Sequence, residues 1–247
     1  MVGERGEDIT IVSVYPDLLG TYGDTANALV LASRARRRGL RARVLTVDPG
    51  AAMPESADLY CLGGGEDGNQ SAAAELLAAD GGLVRAVGRG AVVLGVCAGL
   101  QLLGSSFSDS TGRVRAGLGV LDLDCRRLPG RAVGEIVVDL AGMPGTPALT
   151  GYENHRGDAV LHGSTRPLGT VRVGVGNGAS GFDGAVLGRV VGTYLHGPLL
   201  ARNPAFADRL LTDVAGPLAP LGDDTATRLH DHRLSEALAA RYPGAAR

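Results

Sequence analysis

The sequence has no long run of uncharged apolar residues, because nowhere do the roughly 18 that span a membrane follow one another. Residues Met1–Asp8 are charged and lack the apolar stretch of a signal peptide. We therefore expect a protein that has no transmembrane segment and that works in the cytoplasm.

An excess of basic residues is also missing, since the formal net charge is −2. Proteins that bind nucleic acid or anionic membranes need clustered Lys and Arg to neutralise phosphates. The one basic run, Arg34–Arg43, is interpreted as the solvated end of a helix followed by the start of a strand. Hydrophobic residues make up 45% of the chain and charged residues 20%, with no low-complexity tract, which indicates a soluble globular protein.

The chain has only three cysteines, and their spacing matches no common metal-binding or redox motif. Cys61, Cys97 and Cys125 show no C-x-x-C spacing, and their number is odd, which argues against a disulfide framework and favours free thiols. We interpret Cys61 and Cys125 as buried structural thiols, because neither lies at a turn from a strand into a helix. Cys97 differs in this respect and is the candidate for a reactive thiol.

The order of apolar runs predicts an α/β fold. In the first half, apolar strands alternate with helix-sized segments, which favours a doubly wound, mostly parallel sheet flanked by helices. From Gly117 onward the segments are shorter and richer in Gly and Val, which indicates antiparallel additions. We expect residues 1–247 to form one domain that ends in a helical segment at about residues 203–241.

The segment around Cys97 predicts a nucleophile. An apolar strand, Ala91–Val96, leads directly into Cys97, and a helix is predicted for Ala98–Leu103. Such a turn presents a side chain at the carboxyl edge of the sheet, where the positive helix N-terminus favours a thiolate. Gly95 and Gly99 leave room for a close approach of backbone and substrate.

The stretch Gly95-Val-Cys97-Ala-Gly99-Leu-Gln101 resembles the nucleophile motif of class I, triad-type glutamine amidotransferases. The resemblance implies a flavodoxin-like sheet and a role for Gln101 in holding substrate glutamine. The alternative for Gln101 is a solvated amide in the first turn of a helix.

A second apolar strand ends at His196, which Gly197 and Pro198 follow. A cysteine nucleophile needs a base, and a histidine at the edge of a sheet is suited to that role. The stretch Tyr194-Leu-His196-Gly is similar to the histidine motif of the cobyric-acid-synthase branch of these amidotransferases. The alternative is a structural histidine at the end of a strand.

The acid that usually orients this histidine is missing from its expected place. Most class I amidotransferases continue with Pro-Glu, whereas Gly197 and Pro198 stand here. Glu153 and Asp183 are candidates within the chain, and a Cys–His pair can also work without an acid. We favour a carboxylate from a partner subunit.

A glycine-rich turn, Gly63-Gly64-Gly65, follows another predicted strand. It is neither a P-loop, because no Lys-Ser/Thr follows, nor a dinucleotide-binding fingerprint, because no helix starts at the third glycine. The family resemblance implies that the loop supplies an oxyanion donor. We predict that the oxyanion site consists of backbone N–H groups of Gly64, Gly65 and Ala98.

The remaining histidines do not predict a metal site. His155 lies in Tyr152-Glu-Asn-His155, which resembles a segment of cobyric acid synthases, and we interpret it as structural. His162 is isolated, and His230 and His232 are two residues apart on a predicted helix, where they do not converge on one ion.

Over its whole length the chain resembles the glutaminase subunits of lipid II isoglutaminyl synthases. The segment Tyr15–Asn27 is similar to the opening loop of those subunits. The resemblance implies that one arginine binds substrate, which we assign to Arg131, with Arg126 and Arg127 as the other choices.

The same resemblance implies the reaction and the partner. L-glutamine would be hydrolysed, and the ammonia would pass to a Mur-ligase-like synthetase subunit in a heterodimer, which would amidate the D-glutamate α-carboxyl of lipid II. ATP and magnesium are expected on that partner, and no cofactor is expected in this subunit. Two alternatives remain: a glutaminase for another acceptor, such as a corrin carboxylate, and a degenerate, non-catalytic binding subunit.

Overall fold

The computed structural model describes residues 8–222 and 224–240. The charged N-terminal residues 1–7 and the predicted end of the last helix, residue 241, lie outside these ranges. Seven α-helices occur in the described part of the chain: α1 (Ala26–Arg36), α2 (Asp67–Asp80), α3 (Gly82–Gly88), α4 (Ala98–Leu103), α5 (Leu199–Arg202), α6 (Pro204–Ala215) and α7 (Asp224–Ala239). None of these helices is both long enough and apolar enough to cross a membrane.

The described strands form two sheets. In chain order the strands are β1 (Ile9–Val14), β2 (Ala42–Val47), β3 (Leu59–Leu62), β4 (Val92–Val96), β5 (Ser106–Ser108), β6 (Val114–Ala116), β7 (Leu123–Leu140), β8 (Leu149–Leu161), β9 (Gly169–Val173), β10 (Phe182–Asp183), β11 (Ala185–Leu187) and β12 (Val190–Thr193). The first sheet has the order β11-β12-β4-β3-β1-β2, and all its pairs are parallel except β11 with β12.

The first sheet is covered on both faces. Alternate residues of a strand point to opposite faces, and in β3 this sends Leu59 and Cys61 into one buried cluster and Tyr60 and Leu62 into the other. Helices α1 and α6 contribute to the first cluster and α2, α3 and α4 to the second. The predicted doubly wound α/β fold is therefore confirmed. That residues 1–247 form one domain stays a prediction.

The antiparallel additions form the second sheet, in which β10-β9-β7-β5-β6 are neighbours and β8 pairs with β7. Two of its strands are much longer than the short segments that the sequence suggested. Strand β7 continues past Pro129 and Gly130, because its register with β8 shifts between Arg127 and Ala132. Residues 128–131 of β7 lie opposite the single residue Arg156 of β8, so the proline stands outside the ladder and does not end the strand.

The first helix starts later than its local sequence suggests. Asp24 directly precedes an apolar segment and matches a helix-cap pattern, but the residue at the N-cap is Thr25, and the helix begins at Ala26. The Asp24 side chain turns away from the helix and is fully buried at the carboxyl edge of the first sheet. Asp24 therefore makes a tertiary contact instead of capping the helix.

Candidate active site

Cys97 occupies a strained turn between β4 and α4. Its φ of 54° and ψ of −102° are rare for a residue with a side chain. The neighbours explain how the turn is held: a Cβ on Gly95 would lie 2.8 Å from the carbonyl oxygen of Gly99, and a Cβ on Gly99 would lie 2.5 Å from that of Leu62. The two glycines allow the turn to pack against β3, as the sequence suggested.

Cys97 is also the accessible thiol among the three. Cys97 is partly exposed, whereas Cys61 and Cys125 are buried. Burial raises the pKa of Cys61 to about 12. The pKa of Cys125 is likewise raised by burial to about 12. Both of these thiols therefore stay protonated and unreactive at neutral pH.

His196 lies beside Cys97 because their strands are parallel neighbours. β12 pairs with β4, with Thr193 opposite Val96, and the Cys97 N–H donates to the Thr193 carbonyl at 2.8 Å. Both residues therefore leave the sheet at the same edge. The main chain of His196 is held further by two hydrogen bonds with Tyr152, at 2.8 and 3.0 Å.

The imidazole of His196 contacts a carboxylate of this chain. His196 Nδ1 lies 2.7 Å from Asp24 Oδ2, and both side chains are at most 1% exposed. The same oxygen accepts a hydrogen bond from the Gly64 N–H at 2.9 Å. The other ring nitrogen, Nε2, is buried and makes no hydrogen bond of standard geometry with any described residue.

The charge state of His196 follows from these neighbours. Burial by itself lowers the pKa of His196, but the hydrogen bond with Asp24 and the interaction with Cys97, together with the negative charge of both groups, outweigh it and raise the pKa to about 10. The ring is therefore cationic at neutral pH. A cationic imidazole beside a thiol stabilises the thiolate, which is the nucleophilic form.

Neither predicted acid contacts this ring. The Glu153 carboxylate accepts hydrogen bonds from the N–H groups of Val175 and Gly176 at 2.7 and 2.9 Å and pairs with His155 at 3.2 Å. Glu153 thus holds a loop and a structural histidine, which agrees with the structural interpretation of His155.

Asp183 is the other predicted acid. Its carboxylate accepts from the Thr193 hydroxyl at 2.5 Å and from the Tyr194 N–H at 3.3 Å, and its burial raises its pKa to about 7. Asp183 thus stabilises the end of β12, which precedes His196, and does not contact the imidazole ring. Neither candidate therefore lies against the imidazole, and the carboxylate that does is that of Asp24.

The signal that could have identified Asp24 is its place in the chain order. It follows β1, the neighbour of β3, so it comes from the carboxyl end of a central strand, where polar groups of open α/β sheets collect. An aspartate just before an apolar helix also matches a cap pattern. That local pattern concealed its tertiary contact.

The three backbone N–H groups predicted for the oxyanion site differ in whether they are free to donate a hydrogen bond to substrate. The Gly64 N–H is already bound to Asp24. No described residue accepts a hydrogen bond from the Gly65 N–H. Ala98 is the first residue of α4, where N–H groups have no partner inside the helix.

The predicted substrate residues Gln101 and Arg131 line the same cleft as Cys97 and His196. The Gln101 carboxamide accepts from Gln70 Nε2 at 2.7 Å and donates to the Tyr194 hydroxyl at 3.3 Å. Its orientation is therefore set by the protein before any ligand binds.

Three arginines line the cleft that contains Cys97. Arg131 lines the cleft and donates to the Asn154 side chain, which in turn donates to the Tyr22 hydroxyl. Arg127 and Arg156 also line the cleft, whereas Arg126 is not part of its lining. The ring of Tyr22 meets His196 edge-on, with centroids 5.0 Å apart.

Outside the cleft, His162 pairs with Asp124 in partly exposed positions, and His230 contacts the Arg202 carbonyl at 3.0 Å. Within residues 8–222 and 224–240, no group of three or more His, Cys, Asp or Glu side chains is placed to hold a metal ion.

Comparison with known proteins identifies the family of this chain. A model of the CobB/CobQ-like glutamine amidotransferase domain matches residues 10–204. The chain is 32% identical over 244 residues to the lipid II isoglutaminyl synthase (glutamine-hydrolyzing) subunit GatD of Streptococcus pneumoniae, covering 97% of this chain and 92% of that one. It is also 32% identical to the subunit of the same name from Staphylococcus aureus, covering 83% of each chain.

Other similarities are partial or structural. A cobyric acid synthase of Methylobacterium nodulans is 35% identical, but the match covers only 42% of that protein. A solved glutamine amidotransferase of Thermotoga maritima has a TM-score of 0.53 at 17% identity, covering 95% of this chain and 98% of that chain. Another solved glutamine amidotransferase has a TM-score of 0.54 at 19% identity, covering 82% and 98%. These structures share the fold. From the domain match and the relatives at 32% identity, this chain belongs to the CobB/CobQ-like glutamine amidotransferases and is a glutamine-hydrolysing amidotransferase.

Proposed function

We propose that the Cys97–His196 pair hydrolyses the side-chain amide of L-glutamine and that the ammonia passes to a partner synthetase. The observation that carries this proposal is the thiol of Cys97, held in a strained turn beside a buried histidine whose pKa is raised to about 10. Strain of this kind persists only where the surrounding structure holds it, and it concentrates at active sites.

The charges of the cleft suit a free amino acid. Arg127, Arg131 and Arg156 line the cleft together with Glu66 and Asp67. A guanidinium fork matches an α-carboxylate, and a carboxylate matches an α-ammonium group. Arg131 is the proposed carboxylate ligand, and binding would require its guanidinium to leave Asn154 or to share it.

The reaction is proposed to run in two stages. The thiolate of Cys97 attacks the amide carbon of glutamine, and the carbonyl oxygen becomes an oxyanion. His196 gives its Nε2 proton to the amide nitrogen, the carbon–nitrogen bond breaks, and ammonia leaves a glutamyl thioester on Cys97. Neutral His196 then takes a proton from water, the hydroxide attacks the thioester, and glutamate leaves as the thiolate is restored.

Of the three oxyanion donors predicted from the sequence, two remain available to the substrate. The Gly64 N–H is occupied by Asp24, so the Gly65 and Ala98 N–H groups are the two that remain. Two donors at the developing charge are the usual arrangement in acyl transfer. Gly64 then acts by holding the loop that carries Gly65.

The proposed acceptor is lipid II. The two relatives named as lipid II isoglutaminyl synthase subunits match this chain over 92% and 83% of their own lengths, whereas the match to cobyric acid synthase covers 42% of that protein. We propose a heterodimer with a Mur-ligase-like subunit that binds ATP and magnesium and amidates the D-glutamate α-carboxyl. The cytoplasmic location is part of this proposal. A corrin carboxylate is the second candidate, on the identity of 35% to cobyric acid synthase.

The test measures glutamate released from L-glutamine by the purified chain, alone and with the ligase-like partner. We compare the wild type with Cys97→Ala and with Cys61→Ala, a matched change at a buried thiol. Adding ATP, magnesium and either lipid II or a corrin carboxylate, followed by mass spectrometry, identifies the amidated acceptor.

We expect Cys97→Ala to abolish glutamate release and Cys61→Ala to retain it. Amidation of lipid II alone supports the proposed acceptor, whereas amidation of the corrin supports the second candidate. Glutamate release that survives Cys97→Ala would refute the proposed nucleophile.

A further inference from the structure

We infer that Asp24 is the carboxylate that positions His196 and the oxyanion loop, so that this chain holds a complete Cys–His–Asp site. This inference rests on the proposed glutaminase reaction of Cys97 and His196. It departs from the expectation that a partner subunit supplies the acid, and it gives Asp24 the role of a positioning residue.

One oxygen of Asp24 contacts both His196 and the oxyanion loop. Asp24 Oδ2 lies 2.7 Å from His196 Nδ1 and 2.9 Å from the Gly64 nitrogen. A carboxylate oxygen can accept both hydrogen bonds. The Nδ1–H of His196 is thereby directed at Asp24, and Nε2 is left as the nitrogen that exchanges protons with the reacting groups. The second bond fixes the loop that carries the Gly65 N–H.

Hydrogen bonds of the neighbouring residues hold Asp24 in place. Its loop is tied to the oxyanion loop by a hydrogen bond from the Thr21 N–H to the Gly64 carbonyl at 3.1 Å. Behind it, the Asn27 side chain accepts from the Leu200 N–H at 2.9 Å. Leu200 lies in α5, which follows His196 closely. The acid and the base are thus tied to each other on both sides of their contact.

The negative charge of Asp24 is balanced by His196. Asp24 is fully buried, and its second oxygen, Oδ1, accepts no hydrogen bond from any described residue. A buried carboxylate without a counter-charge is costly. Among described residues, the cation that pairs with it is His196. The carboxylate of Asp24 and the imidazolium of His196 therefore stabilise each other in the protein before substrate binds.

No other carboxylate in the described part of the chain contacts the His196 ring. Glu153 is engaged with a loop and with His155, and Asp183 with β12 and the residue after it. The two positions directly after His196 are Gly197 and Pro198, neither of which carries a carboxylate. Of the described acidic side chains, Asp24 is the one that touches the ring.

The experiment uses the full chain with Asp24→Asn, which keeps the shape and removes the charge, and Asp24→Glu, which keeps the charge. Asp17→Asn is the matched control, because Asp17 is exposed in the same N-terminal loop. Each protein is assayed for kcat and KM of glutamate release, with and without the ligase-like partner. The protonation of His196 is followed by nuclear magnetic resonance over pH, with His196→Gln used to assign the signal.

We expect Asp24→Asn to lower kcat by roughly 10²- to 10⁴-fold with little change in KM, since the substrate does not contact Asp24. His196 should lose its proton at a lower pH than in the wild type, because a negative charge beside it is gone. Asp24→Glu should recover part of kcat, and Asp17→Asn should behave as the wild type. Melting temperatures identify any variant that has lost its fold.

Two results would overturn the inference. One is an Asp24→Asn protein with kcat within threefold of the wild type and an unshifted His196 titration. The other is full recovery of Asp24→Asn by the partner, which would place the acid there. If the wild type released no glutamate but the titration still shifted, the proposed function would fail while the positioning by Asp24 stood.

Discussion

Replacing Gly64 by alanine is expected to disable the site without unfolding the protein. A Cβ at residue 64 would lie 2.7 Å from His196 Cε1 and 3.2 Å from Asp24 Oδ2. Carbon atoms in favourable contact are about 3.5–4.0 Å apart, so the imidazole would have to move by about 1 Å. The loop cannot retreat instead, because the N–H and the carbonyl of Gly64 are both hydrogen-bonded, to Asp24 and Thr21.

A displacement of about 1 Å at a catalytic group can cost about 100-fold in rate. This loss corresponds to about 2.7 kcal/mol in the activation free energy. We therefore expect Gly64→Ala to lower kcat for glutamate release by about that factor, with KM much less affected. Stability should fall only slightly, because a single methyl group is added at the edge of the sheet.

The matched control is Gly68→Ala. Gly68 lies four residues later in α2, and a Cβ there would meet no atom within 4 Å. Alanine is favoured over glycine within a helix by about 1 kcal/mol, so this variant should be as active and at least as stable as the wild type. The reasoning is refuted if Gly64→Ala keeps kcat within threefold, or if both variants lose activity equally.

Two further predictions concern stability. Asp183 has its pKa raised by burial to about 7, above its ordinary value, so between about pH 4 and 7 the unfolded chain ionises this group while the folded chain keeps it neutral. The free energy of unfolding should therefore fall as pH rises through this range, by about 3 kcal/mol between pH 5 and 8. Asp183→Asn should remove this contribution to the pH dependence. Urea unfolding at the two pH values measures it, and an unchanged pH dependence would contradict it. Asn203 accepts from the Thr150 N–H and donates to the carbonyls of Thr150 and Leu199, all at 2.8 Å, in a buried position. Asn203→Ala should lower the free energy of unfolding by about 2–4 kcal/mol, because buried polar groups lose their partners. Exposed Asn69→Ala is the control, and equal effects of the two changes would count against this explanation.

The sequence by itself determined the parts of this protein that depend on neighbours along the chain. Helix α4 was predicted with its observed bounds, and the bounds of β1 are those of the β-branched apolar run Ile9–Val14, because short apolar segments of this kind carry strong local patterns. The turn at Cys97 was predicted for the same reason, since a strand, small residues and a helix follow one another without interruption. Bounds in the second half were less accurate, because β7 passes a proline by a bulge that only its pairing with β8 allows.

The tertiary structure alone decided which acid meets the base. Asp24 and His196 are 172 residues apart, and they meet only because β1, β3, β4 and β12 lie in one parallel sheet with their carboxyl ends at one edge. Locally, Asp24 matches a helix cap, and no pattern within a few residues distinguishes a cap from a buried partner of histidine. The hydrogen bond that the Gly64 N–H donates to Asp24 also joins distant parts of the chain and could not be predicted from the local sequence. Contacts of this range are set by strand order, which local sequence does not encode.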